Sequence, residues 1–173
     1  AFDFVEDGID VDVFLRDYGY NKVDLEQFRQ MQVVDLLIGN GDRHNGNFFF
    51  LDDGSIIPID HNLAFATSRI IDPDVTWQKC FLDNMSNLES HQTPQHILLR
   101  NQIGRELYKR EGIEGYGSII EQIQQQLTDK EIEDMVNLLP SIAADADRKK
   151  ELIETLKWRR NSLQKLLEAV NDF

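Results

Sequence analysis

The sequence predicts an α+β domain that is mainly α-helical, and three observations carry that reading. Apolar residues recur at helical spacing through most of residues 95–173. The clearest strand signals, Phe48 to Leu51 and Ser55 to Ile59, flank Asp52-Asp53-Gly54, so they read as a hairpin. Capping pairs stand where helices should begin, Asp24 with Gln27 and Thr128 with Glu131.

Each element follows in order. Phe2, Phe4 and Val5 alternate with Asp3 and Glu6, a short strand signal that Asp7-Gly8 ends. Val11, Phe14 and Leu15 predict a short helix stopping near Gly19. Asp24 then opens a longer helix with an apolar face of Leu25, Phe28, Met31, Val34, Leu36 and Leu37, and Gly39-Asn40-Gly41 closes it. Pro58 lacks an N–H, so the second hairpin strand is expected at a sheet edge or irregular. Residues 64–94 show weak periodicity and read as loop with short helices. Helices are expected over Gln95–Glu111, over Ser118–Leu127, and from Thr128 to before Pro140. Asp145 or Asp147 opens a final helix buried through Leu152, Ile153, Leu156, Leu163, Leu166, Leu167 and Val170. Its cations, Lys149, Lys150, Lys157, Arg159, Arg160 and Lys165, are interleaved with acids and read as a solvated face rather than a docking surface.

Composition bounds the function. A chain of 173 residues, 41% hydrophobic and 28% charged, suits one globular domain. No apolar run reaches the ~20 residues of a membrane span, and no signal-peptide pattern is present, so a cytoplasmic setting is expected, or delivery into a host cell for a bacterial effector. Net charge is −13, and residues 1–74 hold 15 acidic against 5 basic side chains. That balance opposes a nucleic-acid partner, whose phosphates demand a basic footprint. It suits a divalent cation. The single cysteine, Cys80, excludes an internal disulfide and reads as a small buried hydrophobe between Trp77 and Phe81.

The chemistry is concentrated in residues 41–61. Asp42 and Asn47 lie five apart on a polar, glycine-flanked loop, and Asp60 follows Asn47 by 13 residues. Phosphoryl transfer asks a protein for positioning and charge neutralisation more than for covalent help. Asp42 is placed to orient a hydroxyl and take its proton. Asn47 and Asp60 offer a carboxamide oxygen and a carboxylate to Mg²⁺ while leaving room for phosphate oxygens. The hairpin between them folds back, which accounts for the gap. His44 is placed to donate to a transferred phosphate or share the role of base. Asp52 and Asp53 are turn residues, not ligands.

Gly41-Asp42-Arg43-His44-Asn45-Gly46-Asn47 resembles the catalytic loop of the phosphatidylinositol 3-/4-kinase family, in which Asp-Arg-His replaces the His-Arg-Asp order of ordinary protein kinases. Ile59-Asp60-His61 resembles that family's metal-binding segment. The likeness extends to Asp35-Leu36-Leu37-Ile38-Gly39-Asn40 and Leu63-Ala64-Phe65, and is closest to bacterial and toxin-type members, some of which phosphorylate proteins. It implies a kinase-like C-terminal lobe over residues 1–173, with catalytic and metal-binding loops at 33–65 and a helical part at 95–173. It also implies ATP and Mg²⁺ as cofactors, Asp42 as base, His44 facing the phosphate, and Asn47 and Asp60 on the metal. Residues 1–8 resemble a hinge strand. By that likeness Asp3, Phe4 and Val5 would face adenine, and Asp7 or Asp10 would approach the ribose.

The pattern departs from such kinases in having no Gly-x-Gly-x-x-Gly and no strand lysine; Lys22, ahead of a helix cap, reads as a loop residue. The chain is therefore expected to need an N-terminal lobe from the same protein or a partner, and to be inactive alone. Ile70 to Trp77 falls where an activation loop would lie, with Ser68 and Thr76 read as plain surface hydroxyls. The acceptor is expected to be a protein or lipid hydroxyl, the acidic first half favouring the former over an anionic membrane. Two other readings compete. One is a non-catalytic pseudokinase or interaction module. The other is a metal-dependent phosphohydrolase built on His44, His61, Asp42 and Asp60.

Overall fold

A computed structural model describes residues 7–61, 94–141, 143–168 and 170. They form a mainly helical domain with one small antiparallel sheet, the α+β class that the sequence predicts. Asp3, Phe4 and Val5, read as facing adenine, the strand signal at residues 2–6, and Leu63, Ala64, Phe65, Ser68, the 70–77 segment, Cys80 and His91 lie outside the described residues.

The sheet has strand order β1 (Ile9–Asp10), β2 (Phe48–Phe50), β3 (Ile56–Pro58). β2 pairs on one side with β1, Ile9 opposite Phe50, and on the other with β3, Phe48 opposite Pro58. Pro58 thus lies on an edge strand, as its missing N–H requires. Alternation along β2 sends Phe48 and Phe50 into the core and leaves Phe49 half-buried. Phe50 stacks on Phe14 at 4.2 Å between ring centroids, and Phe48 meets Phe28 edge-on at 6.0 Å. These rings join the sheet to α1 (Val11–Asp17) and α2 (Leu25–Ile38).

Between the strands Gly54 N–H donates to Leu51 O at 2.9 Å, and Ser55 N–H and Oγ–H both donate to Asp53 Oδ1. These bonds hold the Asp53 carboxyl below its ordinary pKa and spend it on the turn. Gly54 has φ +91°, and a Cβ there would lie 1.9 Å from Lys22 O. The hairpin tip is thereby laid against the 3-10 turn of Tyr20–Lys22, and Lys22 sits in that turn with an exposed side chain, as read.

Four sequence expectations need correction. Asp24 caps α2 by accepting from Gln27 N–H at 3.0 Å, but Gln27 does not complete the box. Its amide instead accepts from Ile56 N–H and donates to Ile56 O, covering the open edge of β3. Val34 is 42% exposed, whereas Gln32 and Asp35 on the same helix are buried, so the apolar face is rotated by polar residues with specific partners. The stretch Gln95–Glu111 is two helices, α3 (Pro94–Leu99) and α4 (Gln102–Glu111), because Asn101 stops to cap the second, accepting from Gly104 N–H at 2.7 Å. Finally, the cations of the last helix do not form a solvated face throughout: Arg159 and Arg160 are 7% and 8% exposed.

The remaining helices follow the reading closely. α5 is Gly117–Gln126 and α6 is Asp129–Asn137, with both halves of the Thr128/Glu131 capping box present. α7 is Ala146–Glu168, behind Asp145, which accepts from Arg148 N–H. α7 packs across α2 and α6 and buries Leu152, Leu156, Leu163 and Leu167, with Val170 beyond its end. Its cations close the open ends of other helices. Lys149 donates to Asn137 O at the end of α6, Arg160 to Leu127 O beyond α5 at 2.7 Å, and Arg159 approaches Leu37 O near the end of α2 at 3.4 Å.

Candidate active site

The loop from Gly39 to Asn47 runs between α2 and β2, and its shape follows from one arginine. Gly39 ends α2 in the left-handed conformation at φ +69°, which a glycine adopts without Cβ strain. The chain then wraps around Arg43, whose side chain is 1% exposed. Arg43 Nε and Nη2 donate to the two oxygens of Asp35 at 2.9 and 3.0 Å. Its Nη1 donates to Asn47 O at 2.5 Å and to Ile59 O at 2.6 Å. One guanidinium therefore joins α2, the loop and the end of β3. Asn40 Nδ2 donates to the same Asp35, and Asn101 Nδ2 donates to Arg43 O at 3.1 Å, which brings in the break before α4. The charge pair is fully buried, so its stability depends on this complete set of bonds.

On that base Asp42, His44 and Asn47 lie side by side. Asn47 Nδ2 donates to Asp42 O at 2.7 Å and lies 3.4 Å from Asp42 Oδ2. A backbone carbonyl can only accept, so the amide nitrogen must face Asp42 and Oδ1 must face elsewhere. Ile59 N–H donates to Asn47 O at 3.0 Å, setting Asp60 one residue beyond the hairpin partner of Asn47. Asp60 is exposed and has φ +48°, the described non-glycine residue with positive φ. Aspartate tolerates that region better than most residues, at about 1 kcal/mol. The bend occurs where the strand ends, one residue beyond Ile59.

His44 is tied from one side. Its Nδ1 accepts from Gly46 N–H at 3.0 Å, which leaves Nε2 to carry the proton in the neutral ring. Nε2 is 3.9 Å from Asp42 Oδ2, too far for a hydrogen bond, so its proton remains available in the site. Asn45 holds the loop from outside: its Nδ2 donates to Asp12 on α1, and its Oδ1 accepts from Gln102 N–H on α4.

Asn47 Oδ1 and the Asp60 carboxylate are both oxygen donors, the chemistry that Mg²⁺ takes with one or two protein ligands and phosphate oxygens. Among the described residues no cluster of three or more His, Cys, Asp or Glu is placed to hold a metal. His61 is exposed beside Asp60, and His96 lies on α3. Of the residues read as facing the nucleotide, Asp7 is exposed at the start of the described chain. Asp10, the alternative for the ribose, caps α1 by accepting from Asp12 and Val13 N–H.

The sequence reading overlooked Asp35 and Asn101 as site-builders, and Arg100, whose Nη2 lies 3.6 Å from Asp42 Oδ1. A signal for Asp35 existed: it lies four residues after Met31, where the apolar period calls for a core residue. No comparable signal marks residues 100 and 101, which reach the loop from 53 or more positions away. Residues 4–101 match the protein family described as phosphatidylinositol 3- and 4-kinase. No curated protein and no solved structure matches the chain.

Proposed function

We propose, from the premise that this chain belongs to the phosphatidylinositol 3- and 4-kinase family, that it is the catalytic lobe of an ATP- and Mg²⁺-dependent kinase acting on a protein or lipid hydroxyl. The observation that carries this reading is the pair of short links that ties Asp42, and the strand leading to Asp60, to Asn47. Asn47 holds Asp42 through its side chain, and receives the strand leading to Asp60 through its carbonyl.

In this reading Asp42 orients the acceptor hydroxyl and takes its proton as the oxygen meets the γ-phosphorus. His44 donates its Nε2 proton in a hydrogen bond to a phosphoryl oxygen. Asn47 Oδ1 and Asp60 would hold Mg²⁺, which would neutralise the phosphate charge. Arg43 and Asp35 touch no reactant and keep the loop in shape. The nucleotide's other face is covered by an N-terminal lobe from the same protein or a partner.

The test is transfer from labelled ATP to lipids and lysate proteins, read by mass spectrometry, with the chain alone and within its full-length protein. Asp42→Ala is expected to lower transfer at least about 100-fold with an unaltered thermal midpoint, and Asp60→Ala to remove the response to Mg²⁺. Transfer undiminished in both variants refutes the assignment.

A further inference from the structure

We propose that Arg100 is an anion-binding residue of this site, its guanidinium placed to receive the oxygens of the phosphoryl group in transit. The inference rests on the phosphotransfer reading above for the identity of the anion, and on the arginine's own surroundings for the site.

Arg100 and Arg43 both approach an aspartate of this region, and the contrast between them is the argument. Arg43 spends Nε, Nη1 and Nη2 on hydrogen bonds of 2.5–3.0 Å and is buried. Arg100 stands 3.6 Å from Asp42 Oδ1, well beyond the 2.7–2.9 Å of a formed charge-assisted hydrogen bond. Its side chain is 34% exposed, yet its Nε is a buried donor with no hydrogen-bond partner among the described residues. Among the described residues the guanidinium thus makes no formed hydrogen bond, and its Nη2, the nitrogen beside the Asp42 carboxylate, is the donor an incoming anion would meet. The guanidinium fork fits two oxygens of a phosphate at once.

The backbone holds this group in place. Arg100 occupies the break between α3 and α4, where Arg105 Nη1 donates to Arg100 O, and the next residue, Asn101, is bonded to Arg43 O. The arginine is thus carried by the same buried network that shapes the Asp42 loop. Residues 1–74 are strongly acidic, so an incoming phosphate needs positive charge here, and Arg43 has none to spare.

During transfer the hydroxyl oxygen bonds to the γ-phosphorus. The bond from that phosphorus to the bridging oxygen breaks, its electron pair leaving with the diphosphate, and the hydroxyl proton passes to Asp42. Arg100 forms no covalent bond; it offsets charge on the equatorial oxygens. Before phosphate arrives, Asp42 is its loose counter-ion, so each keeps the other near the reacting position.

The test is titration of the 173-residue chain with inorganic phosphate, followed by NMR of the arginine Nε–H signals. Phosphate is expected to shift the Arg100 signal saturably. Arg100→Ala should weaken phosphate about tenfold or more, Arg100→Lys should restore part of it, and Asp42→Asn, which removes the competing carboxylate, should tighten it. Arg110→Ala, an exposed cation on α4, should change nothing. An Arg100 signal indifferent to phosphate, or equal affinity in Arg100→Ala, overturns the proposal. Arg100-dependent phosphate binding without phosphate transfer from ATP upholds the anion site and instead defeats the kinase reading.

Discussion

The Asp42 loop and the long helix α7 both set arginines against backbone carbonyls, but they do so at different depths. Arg43 is enclosed, with both oxygens of Asp35 on one side of its guanidinium and two carbonyls on the other. Arg160 on α7 closes the end of α5 through Leu127 O and pairs with Asp129, whose carboxylate is 61% exposed. In the loop the arginine defines a conformation that no regular secondary structure would supply. On the helix it improves an end that packing has already placed. Losing the first should therefore undo the site, and losing the second should only loosen a corner of the helical part.

The largest expected effect tests the first half of that contrast. Arg43→Met should cost about 3–5 kcal/mol, because it leaves the Asp35 carboxylate buried without its partner. The double variant Arg43→Met with Asp35→Leu should cost less than the sum of the two single changes, as chemical denaturation would measure. Simple additivity would mean that the pair is not coupled, and the loop would need another explanation. Arg160→Met should cost about 1–2 kcal/mol, the scale of a helix-end interaction with one charged hydrogen bond. A loss as large as that of Arg43 would abolish the distinction between the two regions.

The smallest effect lies at the joint between them. Tyr116, next to the start of α5, donates to Gln32 Oε1 on α2 at 2.6 Å, while Gln32 Nε2 donates to Leu98 O on α3. Burial pushes the Tyr116 phenol well above its ordinary pKa of 10.0. The folded state therefore keeps the proton that the unfolded chain gives up near that pH. The stability from this group is whole below about pH 10 and falls as pH rises above it. Tyr116→Phe should lower stability by about 1 kcal/mol at neutral pH and flatten the alkaline decline, as thermal midpoints between pH 8 and 11 would record.

Much of the site was legible because it is local. Asp42, His44 and Asn47 share one loop, and the hairpin that returns Asp60 is announced by Asp52-Asp53-Gly54 and two apolar runs. Pro58 marked its strand as edge or irregular, and pairing makes it an edge. The errors have a common cause. Gln27 reads as a cap of its own helix and Arg159 and Arg160 as part of a solvated face, yet each bonds to a distant backbone: Ile56, Leu37 and Leu127. Patterns of 3.6 and 2 report what a side chain does for its own element and are silent on partners elsewhere in the chain. Val34 fell to the same limit, since the periodicity could not show that Gln32 and Asp35 would be buried in its place.

The sequence alone therefore determined the helical character, the hairpin, most caps and the order of reactive groups, because each depends on residues within a few positions of one another. The tertiary structure decided that Arg43 is enclosed, that Arg100 is left beside Asp42, and that Asn101 ties α4 to the loop. The first depends on desolvation by the segments packed around it, and the other two on contacts between segments more than 50 residues apart. Burial assigns a polar group its partners only once the chain has packed.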